Sequence, residues 1–410
     1  MIEEKFVRRG LLLVFLILLL DVTGIAIIMP VLPEFLSELT GDSINAAAVD
    51  GGWLLLVYAG MQFLFSPLIG NLSDRFGRRP ILLASVLTFA IDNLICALAG
   101  SFWMLFVGRI LAGISGASIA TCSAYIADVS YEQNRARNFG LIGIAFGIGF
   151  IVGPILGGFL GEFGPRIPFF GAAALAFVNF LLACFFLPET LAAQNRRAFD
   201  LARANPFGAL KQMRQYRGMG WIGAVMFLYY LAHTVYPAAW SFVSAYRYGW
   251  SEARIGLSLG MYGVGAALVM GLVMPRFVRL FGEWKTALIG IGFAGVAMLG
   301  YAFAWQGWMV YVVIVLTALE GVAEAPLRSI AAGKVPPSAQ GELQGAMTSL
   351  SSLTTILGPL LFAGLFSRFT GPAAPVEFAG APYALAGFFI FLMFWLFLLK
   401  IRPEMDQTAA

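Results

Sequence analysis

The sequence predicts an all-α membrane protein with 12 transmembrane helices in two pseudo-symmetric six-helix halves. Composition is the first observation behind this prediction, because 60% of the 410 residues are hydrophobic and only 12% are charged, whereas soluble domains carry about 25% charged residues. The second is a succession of apolar segments, each long enough for one membrane crossing, which takes roughly 20 residues. The third is an internal repeat that divides these segments into two equal sets.

The individual spans follow from windows of high hydropathy. They are predicted at 10–33, 51–71, 81–99, 102–126, 138–161, 167–187, 219–246, 254–274, 286–304, 307–331, 341–367 and 382–401. The longest polar stretch separates the sixth span from the seventh. It predicts an N-terminal six-helix bundle at 1–187, a cytoplasmic linker at 188–218 and a C-terminal six-helix bundle at 219–410.

The orientation follows from the basic residues in the loops. They cluster on one side of the predicted bundle, and the other side holds only Arg166, Arg247, Arg254 and Arg368. Cytoplasmic loops of membrane proteins carry the excess of Lys and Arg. We therefore expect a multi-pass protein with both termini in the cytoplasm. This asymmetry also accounts for the net charge of +4, so no nucleic-acid partner is expected.

The internal repeat has an offset of 205 residues, at which several landmarks coincide. Phe76-Gly77 falls on Phe281-Gly282, and Gly153-Pro154 falls on Gly358-Pro359. Coincidences at one offset in matching spans favour a duplication over the weak self-similarity of any apolar chain. Two parallel six-helix repeats are a common transporter architecture, with the binding site near the middle of the membrane.

Ionisable residues interrupt the apolar spans. A charge in the middle of a membrane costs at least a few kcal/mol, so it usually faces a water-filled path or a partner. The only histidine also lies within a span, and histidine titrates near neutral pH. The candidate proton-coupling residues are Asp21, Asp92, Arg109, His233, Glu320 and Glu324. They indicate an ionisable pathway through the membrane.

The sequence lacks the usual catalytic patterns. It contains no HExxH or GxSxG motif, no paired metal-ligand spacing and no GxxxxGK[ST] loop. We therefore expect neither an enzyme nor an ATP-driven pump. No cofactor and no metal site are expected, and the proton is the expected coupling ion.

The loop GNLSDRFGRRP at 70–80 carries the first family resemblance. It resembles the signature loop of the major facilitator superfamily, in which a glycine, an acidic residue and an arginine-rich turn follow the second span. The resemblance implies a conformational latch, while a basic turn that only sets topology is the alternative. The latch candidates are Gly70, Asp74, Arg75, Gly77, Arg78 and Arg79.

Two further segments extend the resemblance. GRILAGISGA at 108–117 contains Arg109 and is similar to the intramembrane arginine motif of the superfamily, which is associated with proton coupling. GIAFGIGFIVGPILGG at 143–158 contains Gly153, Pro154 and Gly157, whose spacing lets two helix backbones meet. This pattern resembles the antiporter motif of drug/proton exchangers.

Together with LLDVTGIAIIMPVLP at 19–33, these motifs closely resemble the bacterial tetracycline efflux pumps. The resemblance implies proton-coupled efflux of amphiphilic compounds by alternating access, across a bacterial inner membrane. It places Asp21, Asp92, Asp74 and Arg109 on functional positions. However, the intramembrane histidine and one aspartate of those pumps fall at Ala266 and Ala294 here, so both titratable groups are missing.

Span ten offers a replacement for the missing groups. Glu320, Glu324 and Arg328 are four residues apart and share one helix face. We expect Arg328 to pair with Glu324, which leaves Glu320 as the freer carboxylate and a candidate proton carrier. A static Glu–Arg brace is the alternative. His233, four residues before Pro237, is the second candidate.

The residues indicate the substrate less specifically than they indicate the fold. Acidic groups that face a cavity favour a small amphiphilic substrate, cationic or zwitterionic. The candidate binding residues are Tyr58, Gln62, Asn93, Tyr125, Tyr236 and Trp240. We expect a monomer in contact with membrane lipid. The alternatives are proton-coupled transport of a metabolite or lipid, and a non-transporting membrane sensor.

Overall fold

The computed structural model describes residues 2–197, 218–336 and 339–401, without the side chains of 2–8, 132, 136 and 341. Within these residues the chain forms helices, turns and loops and no strand, so the all-α prediction is confirmed. Most of the predicted linker (198–217) and the C-terminal residues 402–410 lie outside the described residues.

The helices follow one another with short connections. They are α1 (Ile2–Ala26), α2 (Leu32–Thr40), α3 (Ile44–Phe76), α4 (Arg78–Ala97), α5 (Phe102–Gly116), α6 (Ile119–Asp128), α7 (Glu132–Gly161), α8 (Ile167–Phe186), α9 (Met219–His233), α10 (Val235–Tyr248), α11 (Glu252–Leu268), α12 (Met274–Phe303), α13 (Gly307–Glu320), α14 (Glu324–Ala332), α15 (Gln340–Thr370) and α16 (Ala381–Lys400). A π-helical turn, Val269–Val273, joins α11 to α12. Proline in the first turn starts α2, α8, α12 and α16, where its missing N–H costs nothing.

Eleven stretches in the described part of the chain are long and apolar enough to span a membrane. One of them, Glu252–Phe303, has 52 residues, which at about 1.5 Å per residue would far exceed an apolar core of about 30 Å. It bends at Gly282, whose φ of 75° interrupts the helix. This stretch therefore supplies two passes, and it covers the two spans predicted at 254–274 and 286–304.

The helix breaks repeat at the offset seen in the sequence. α5 and α6 are separated at Ala117–Ser118, and α13 and α14 are separated at 321–323. Gly77 and Gly282 both have a positive φ, 104° and 75°, which only glycine adopts freely. The recurrence of the same backbone features in both halves of the chain supports the duplication.

The described residues form two compact units. One contains the chain up to 197 together with Trp250–Gly260, and the other contains 218–249 and the described chain from Met261 onward. In the first unit, an apolar cluster around Val14, Ile17 and Leu82 packs α1 against α4, α6 and α8. In the second, α12 packs closely on α13, because Gly300 has Val313 against its backbone.

Candidate functional site

The first group of buried polar residues surrounds the break between α5 and α6 in the N-terminal unit. The hydroxyl of Ser118, at the break, donates a hydrogen bond of 3.0 Å to Oδ2 of Asp21 on α1. Both side chains are buried. A break frees the helix to present a small polar side chain to the carboxylate, which suits a site inside a membrane. Asp21 therefore has a hydroxyl as its hydrogen-bond partner.

Asp92 on α4 and Arg109 on α5 form a second buried group. Nη2 of Arg109 lies 3.7 Å from Oδ1 of Asp92 and 3.3 Å from Sγ of Cys96. Asp92 also accepts hydrogen bonds from Nδ2 of Asn93 at 2.8 Å and from the hydroxyl of Ser115 at 3.5 Å. Asp92 is thus an ion-paired, hydrogen-bonded carboxylate with no exposed surface.

Two candidate binding residues lie beside these carboxylates. Nε2 of Gln62 donates to the hydroxyl of Tyr58 at 3.3 Å and to the carbonyl of Gly116 at 3.1 Å. Tyr58 is close enough to interact electrostatically with Asp21 and Arg109. The structure therefore brings Tyr58 and Gln62 together with the candidate proton-coupling residues of this unit.

Two other candidate binding residues are internal. Asn93 is fully buried and donates through Nδ2 to Asp92 and to the carbonyl of Phe89. Tyr125 is fully buried in the apolar cluster that includes Val14, and its hydroxyl has no hydrogen-bond partner within the described residues. The structure does not place Tyr125 with the carboxylates, and the binding roles of both residues stay predictions.

The signature loop forms a compact charge cluster. Arg78 pairs with Asp74 through Nη1, and its Nε lies 3.0 Å from Oδ2 of Asp128 on α6. Nη1 of Arg78 also donates to the hydroxyl of Ser73 at 2.7 Å. The latch candidate Asp74 therefore pairs with a cation, Arg78.

Glu189, which follows the end of α8, binds the same loop. Its carboxylate accepts the backbone N–H groups of Arg78 at 2.9 Å and of Arg79 at 3.3 Å, at the N-terminus of α4. Nη2 of Arg79 donates to the carbonyl of Cys184 at 2.6 Å. The φ of Gly77, 104°, favours glycine, and a Cβ at this position would also displace the carboxylate of Glu189.

The remaining latch candidates have no such packing requirement. The guanidinium of Arg75 is exposed and lies 5.1 Å from the ring centroid of Phe76. A Cβ added to Gly70 would meet open space. Among the described residues, no neighbouring atom lies within 4 Å of that position, so the structure shows no close helix approach at Gly70.

The glycine-rich face of α7 packs against α1. A Cβ on Gly153 would lie 2.7 Å from Cβ of Ala26, and one on Gly157 would collide with the carbonyl oxygen of Ile27. Pro154 lies within the same helix. Small residues at this spacing let the two backbones meet, as the sequence indicated.

The C-terminal unit brings His233 and Glu320 together. Nε2 of His233, at the end of α9, lies 3.2 Å from Oε1 of Glu320, at the end of α13, as an ion-pair contact without aligned hydrogen-bond geometry. Nδ1 of His233 lies 2.7 Å from the carbonyl oxygen of Tyr229. The hydroxyl of Tyr236 donates to both carboxylate oxygens, at 3.3 and 3.4 Å. The Glu320 side chain is 2% exposed.

Aromatic rings surround this pair. The ring of Tyr236 stacks on Tyr262 with 6.0 Å between centroids and meets Tyr301 edge-on at 6.1 Å. Trp240 meets Tyr301 edge-on at 5.0 Å. The hydroxyl of Tyr301 is hydrogen-bonded to that of Thr317 at 2.7 Å. Tyr236 and Tyr262 are only half-buried, so these rings border accessible space.

Glu324 and Arg328 form a different kind of pair. Nη2 of Arg328 lies 2.8 Å from Oε1 of Glu324, and both side chains are more than 40% exposed. The Arg328 guanidinium also lies 5.9 Å from the ring centroid of Tyr230. The pairing expected from the four-residue spacing is present. Glu320 does not take part in it and contacts His233 and Tyr236 instead.

The two positions that lack titratable groups lie on helices next to the pair. Ala294 on α12 is fully buried. Ala266 on α11 follows Gly265, where an added Cβ would lie 3.0 Å from Cβ of Ala318 on α13. Gly265, the neighbour of Ala266 in the sequence, therefore lies against the helix that carries Glu320.

Glu34 on α2, which lies outside the spans, has a shifted pKa. A hydrogen bond with Glu252, partial burial and the charges of Glu252, Glu38 and Glu162 raise the pKa of Glu34 on α2 to about 7. Neighbouring carboxylates disfavour the charged form, which is the physical cause of a raised carboxyl pKa.

Several contact residues were not singled out from the sequence. They are Ser115, Ser118, Tyr262, Tyr301 and Thr317. Hydroxyls in membrane spans are a weak signal, because they often bond only to their own helix. The helix break at Ser118, which follows Gly116 and Ala117, was the feature that could have drawn attention to that residue.

Comparisons with known proteins give a consistent result. A family profile described as the Major Facilitator Superfamily matches residues 14–359 and 224–410. The chain is 40% identical over 366 residues to the "Tetracycline resistance protein, class G" of Vibrio anguillarum, covering 89% of this chain and 92% of that protein. It is 39% identical over 352 residues to the class C protein of Escherichia coli, covering 85% and 87%.

A solved structure has the same fold. The human organic anion transporter MFSD10 (TETRAN) superposes with a TM-score of 0.69 at 24% sequence identity, and the match covers 95% of this chain and 99% of that one.

Proposed function

The chain belongs to the major facilitator superfamily, and from that premise we propose that it exports amphiphilic drug-like compounds in exchange for protons, by alternating access. Its tetracycline-resistance relatives cover most of its length, which supports a drug efflux transporter and not an enzyme. The class of substrate and the identity of the proton-coupling residues have to be inferred from the geometry of the site.

The His233–Glu320 pair is the observation that carries the proposal. A carbonyl oxygen only accepts hydrogen bonds, so the contact with Tyr229 keeps a proton on Nδ1 of His233. Nε2 and the Glu320 carboxylate are then two acceptors 3.2 Å apart unless a proton lies between them. The pair therefore holds one exchangeable proton, as an imidazolium beside a carboxylate or as an imidazole beside a carboxylic acid.

We assign this pair the role of the titratable groups that are absent at Ala266 and Ala294. Glu320 lies on α13, whose Ala318 lies against Gly265, the neighbour of Ala266 in the sequence. Glu324 is exposed and paired with Arg328, so we assign proton carriage to Glu320 in preference to Glu324. Replacement of the titratable groups of α11 and α12 by His233 on α9 and Glu320 on α13 keeps a proton site in the same unit.

The N-terminal carboxylates take separate roles in this proposal. Asp21 has a hydroxyl partner, Ser118, and is the carboxylate of the N-terminal unit that ionises during the cycle in this proposal. Asp92 is paired with Arg109 and hydrogen-bonded by Asn93, so it serves mainly to hold Arg109 in the membrane.

The proposal also specifies the location of the protein, its oligomeric state, its substrate and its coupling ion. The protein is placed in a bacterial inner membrane with both termini cytoplasmic, as a monomer in contact with lipid. Its substrate is a small cationic or zwitterionic amphiphile. Protons are the coupling ion, and no cofactor is invoked.

Everted membrane vesicles test the proposal. An imposed proton gradient should drive uptake of members of a panel of fluorescent amphiphiles that includes tetracycline with magnesium. Asp21→Asn and Glu320→Gln should abolish gradient-driven uptake, whereas Asp42→Asn and Glu377→Gln should not, because Asp42 and Glu377 are exposed. Wild-type rates in the first two variants, or no uptake of any compound by the wild type, would contradict the proposal.

A further inference from the structure

Two carboxyl groups face each other where α2 meets the start of α11. The side chain of Glu34, on α2, is hydrogen-bonded to the side chain of Glu252, in the first turn of α11. Ionised carboxylates only accept hydrogen bonds, so this contact requires a proton on one of the two groups. Without that proton, two negative charges repel each other at the same place.

The helix that carries Glu34 is held in one orientation. Its Phe35 is fully buried, and the ring centroid lies 5.2 Å from that of Phe169 on α8. The guanidinium of Arg166 lies 5.1 Å from the centroid of the Phe35 ring, and its Nη2 is 3.4 Å from Oε1 of Glu38. A helix that is fixed by a buried ring and an ion pair therefore presents Glu34 to its partner.

The first turns of α11 pack on α7 at backbone distance. A Cβ on Gly256 would collide with a carbonyl oxygen of α7, and one on Gly158 would collide with the carbonyl oxygen of Glu252. The N–H of Ala253 donates to Oε1 of Glu162, just after α7, at 3.3 Å. The start of α11 is therefore seated on α7, and the Glu34 contact lies at the edge of this packing.

The helix α11 belongs to both compact units. Its first turns pack with the N-terminal unit, in the segment Trp250–Gly260, whereas the same helix continues from Met261 in the C-terminal unit. A movement of one unit against the other must therefore bend α11 or detach its first turns from α2 and α7. The contacts of Glu252 stabilise the attached state.

The charges that act directly on Glu34 are negative. A hydrogen bond with Glu252, partial burial and the charges of Glu252, Glu38 and Glu162 raise the pKa of Glu34 to about 7. The cation of this region, Arg166, is paired with Glu38. The contact is therefore formed below about pH 7 and is lost as the pH rises through this value.

The other elements around α2 bring few charges. α3 contributes Asp50, which interacts with Asp42 in the connection from α2. The only charged residue of α5, Arg109, is paired with Asp92, and α8 has no charged residue. Arg254, in the first turn of α11, is exposed.

We propose that the Glu34–Glu252 pair is a proton-dependent clasp that holds the first turns of α11 on α2 and α7. A proton that binds from the side of the membrane proposed to be external closes the clasp, and its loss releases the clasp by charge repulsion. The clasp regulates the detachment of α11 and is separate from the His233–Glu320 pair, so this inference goes beyond the proposed function.

Labelling of a position beneath the clasp tests the proposal. Val31 is fully buried and lies against Gly161, which the Glu252 side chain also covers. The variant Val31→Cys of the full-length protein in nanodiscs is labelled with a maleimide at about pH 6 and about pH 8. Ser43→Cys, at an exposed position on the same side, gives the intrinsic reactivity by which each rate is divided.

The native cysteines need one change. Cys96 and Cys122 are buried, whereas Cys184 is partly exposed. All variants therefore carry Cys184→Ser, and the chain without an added cysteine is the blank.

The normalised labelling rate at Val31→Cys should rise about fivefold from the lower to the higher pH, because the clasp loses its proton across this range. Glu34→Gln keeps a hydrogen-bond donor without a titratable proton and should label slowly at both pH values. Glu252→Gln supplies the donor from the other side and should behave in the same way. Glu34→Ala removes both the donor and the repulsion, and should label at one intermediate rate.

Two results would overturn the clasp. One is a labelling rate at Val31→Cys that does not rise with pH. The other is an equal rise in Glu34→Gln, which would assign the response to another titratable group. Because the readout needs neither a substrate nor a gradient, an absence of gradient-driven uptake would contradict the proposed function and leave the clasp standing.

Discussion

Nε2 of His233 faces Oε1 of Glu320 at 3.2 Å, while the other ring nitrogen is held by the carbonyl of Tyr229. This arrangement fixes which nitrogen can exchange a proton. It joins the ends of two helices, because α9 ends at His233 and α13 ends at Glu320. A change in the protonation of either residue therefore alters the contact between the ends of two helices.

Replacement of His233 should alter the pH dependence of transport. In His233→Gln, Glu320 loses its titratable partner, so the proton is held by the carboxyl group alone and the pH–rate profile should shift and lose one limb. The profile is measured as uptake rate in everted vesicles at fixed gradient size. A profile that superposes on that of the wild type would exclude a coupling role for His233.

Neutralisation of Glu324 should have a much smaller effect than neutralisation of Glu320. Glu324 is 42% exposed and paired with Arg328 at 2.8 Å, and exposed pairs contribute about 0–1 kcal/mol. We expect Glu324→Gln to transport at a rate within about twofold of the wild type. Loss of gradient-driven uptake in this variant would move proton carriage from Glu320 to Glu324.

Removal of one partner of the Asp92–Arg109 pair should destabilise the N-terminal unit. Arg109→Gln leaves the fully buried Asp92 without its cation, and breaking a buried pair costs about 3–5 kcal/mol. The double variant Asp92→Asn with Arg109→Gln should recover much of this loss, because no charge remains unpaired. Thermal unfolding in detergent measures both, and equal melting temperatures for the single and double variants would contradict the expectation.

A methyl group on the tightly packed face of α7 should be poorly tolerated. In Gly157→Ala the new Cβ collides with the carbonyl oxygen of Ile27, so α7 and α1 must separate and stability must fall. Gly147→Ala in the same helix meets open space and should be neutral or stabilising by up to about 1 kcal/mol. Expression and melting temperature distinguish the two, and an equal response would show that the contact does not hold the helices together.

The carboxyl pair at Glu34 predicts a pH-dependent contribution to stability. Because its pKa is raised from 4.5 to about 7, this contribution is full below the ordinary pKa and is lost as the pH rises through about 7. The melting temperature of the wild type should therefore fall more between pH 6 and pH 8 than that of Glu34→Gln. Parallel melting curves across this range would show that Glu34 does not titrate there.

The sequence was most informative where a residue conflicted with its surroundings. Asp21 and Glu320 stand out because a charge in an apolar span needs a reason, and the Glu324–Arg328 pair follows from helical spacing. Tyr262 and Tyr301 do not conflict with a membrane span, and their meeting with Tyr236 depends on how three helices rotate about their axes. That rotation is a property of tertiary packing, which hydropathy does not contain.

The boundary between spans eight and nine shows a second limit. A basic turn separates the two passes in the sequence, yet the chain remains helical through Met274 and bends only at Gly282. Hydropathy locates apolar segments, whereas the helical backbone continues until a residue with positive φ interrupts it.

The repeated helix breaks have an evolutionary consequence. After a duplication, each copy inherits a break at the same depth, and each break is a place where a polar side chain can be tolerated without disrupting a whole helix. One copy now has the Asp92–Arg109 pair between α4 and α5, and the other has Glu320 at its break with His233 and Tyr236 as neighbours. Redundancy between the copies allows one half to keep a permanent charge pair while the other diverges, so substitutions that change what is recognised should accumulate in the C-terminal half.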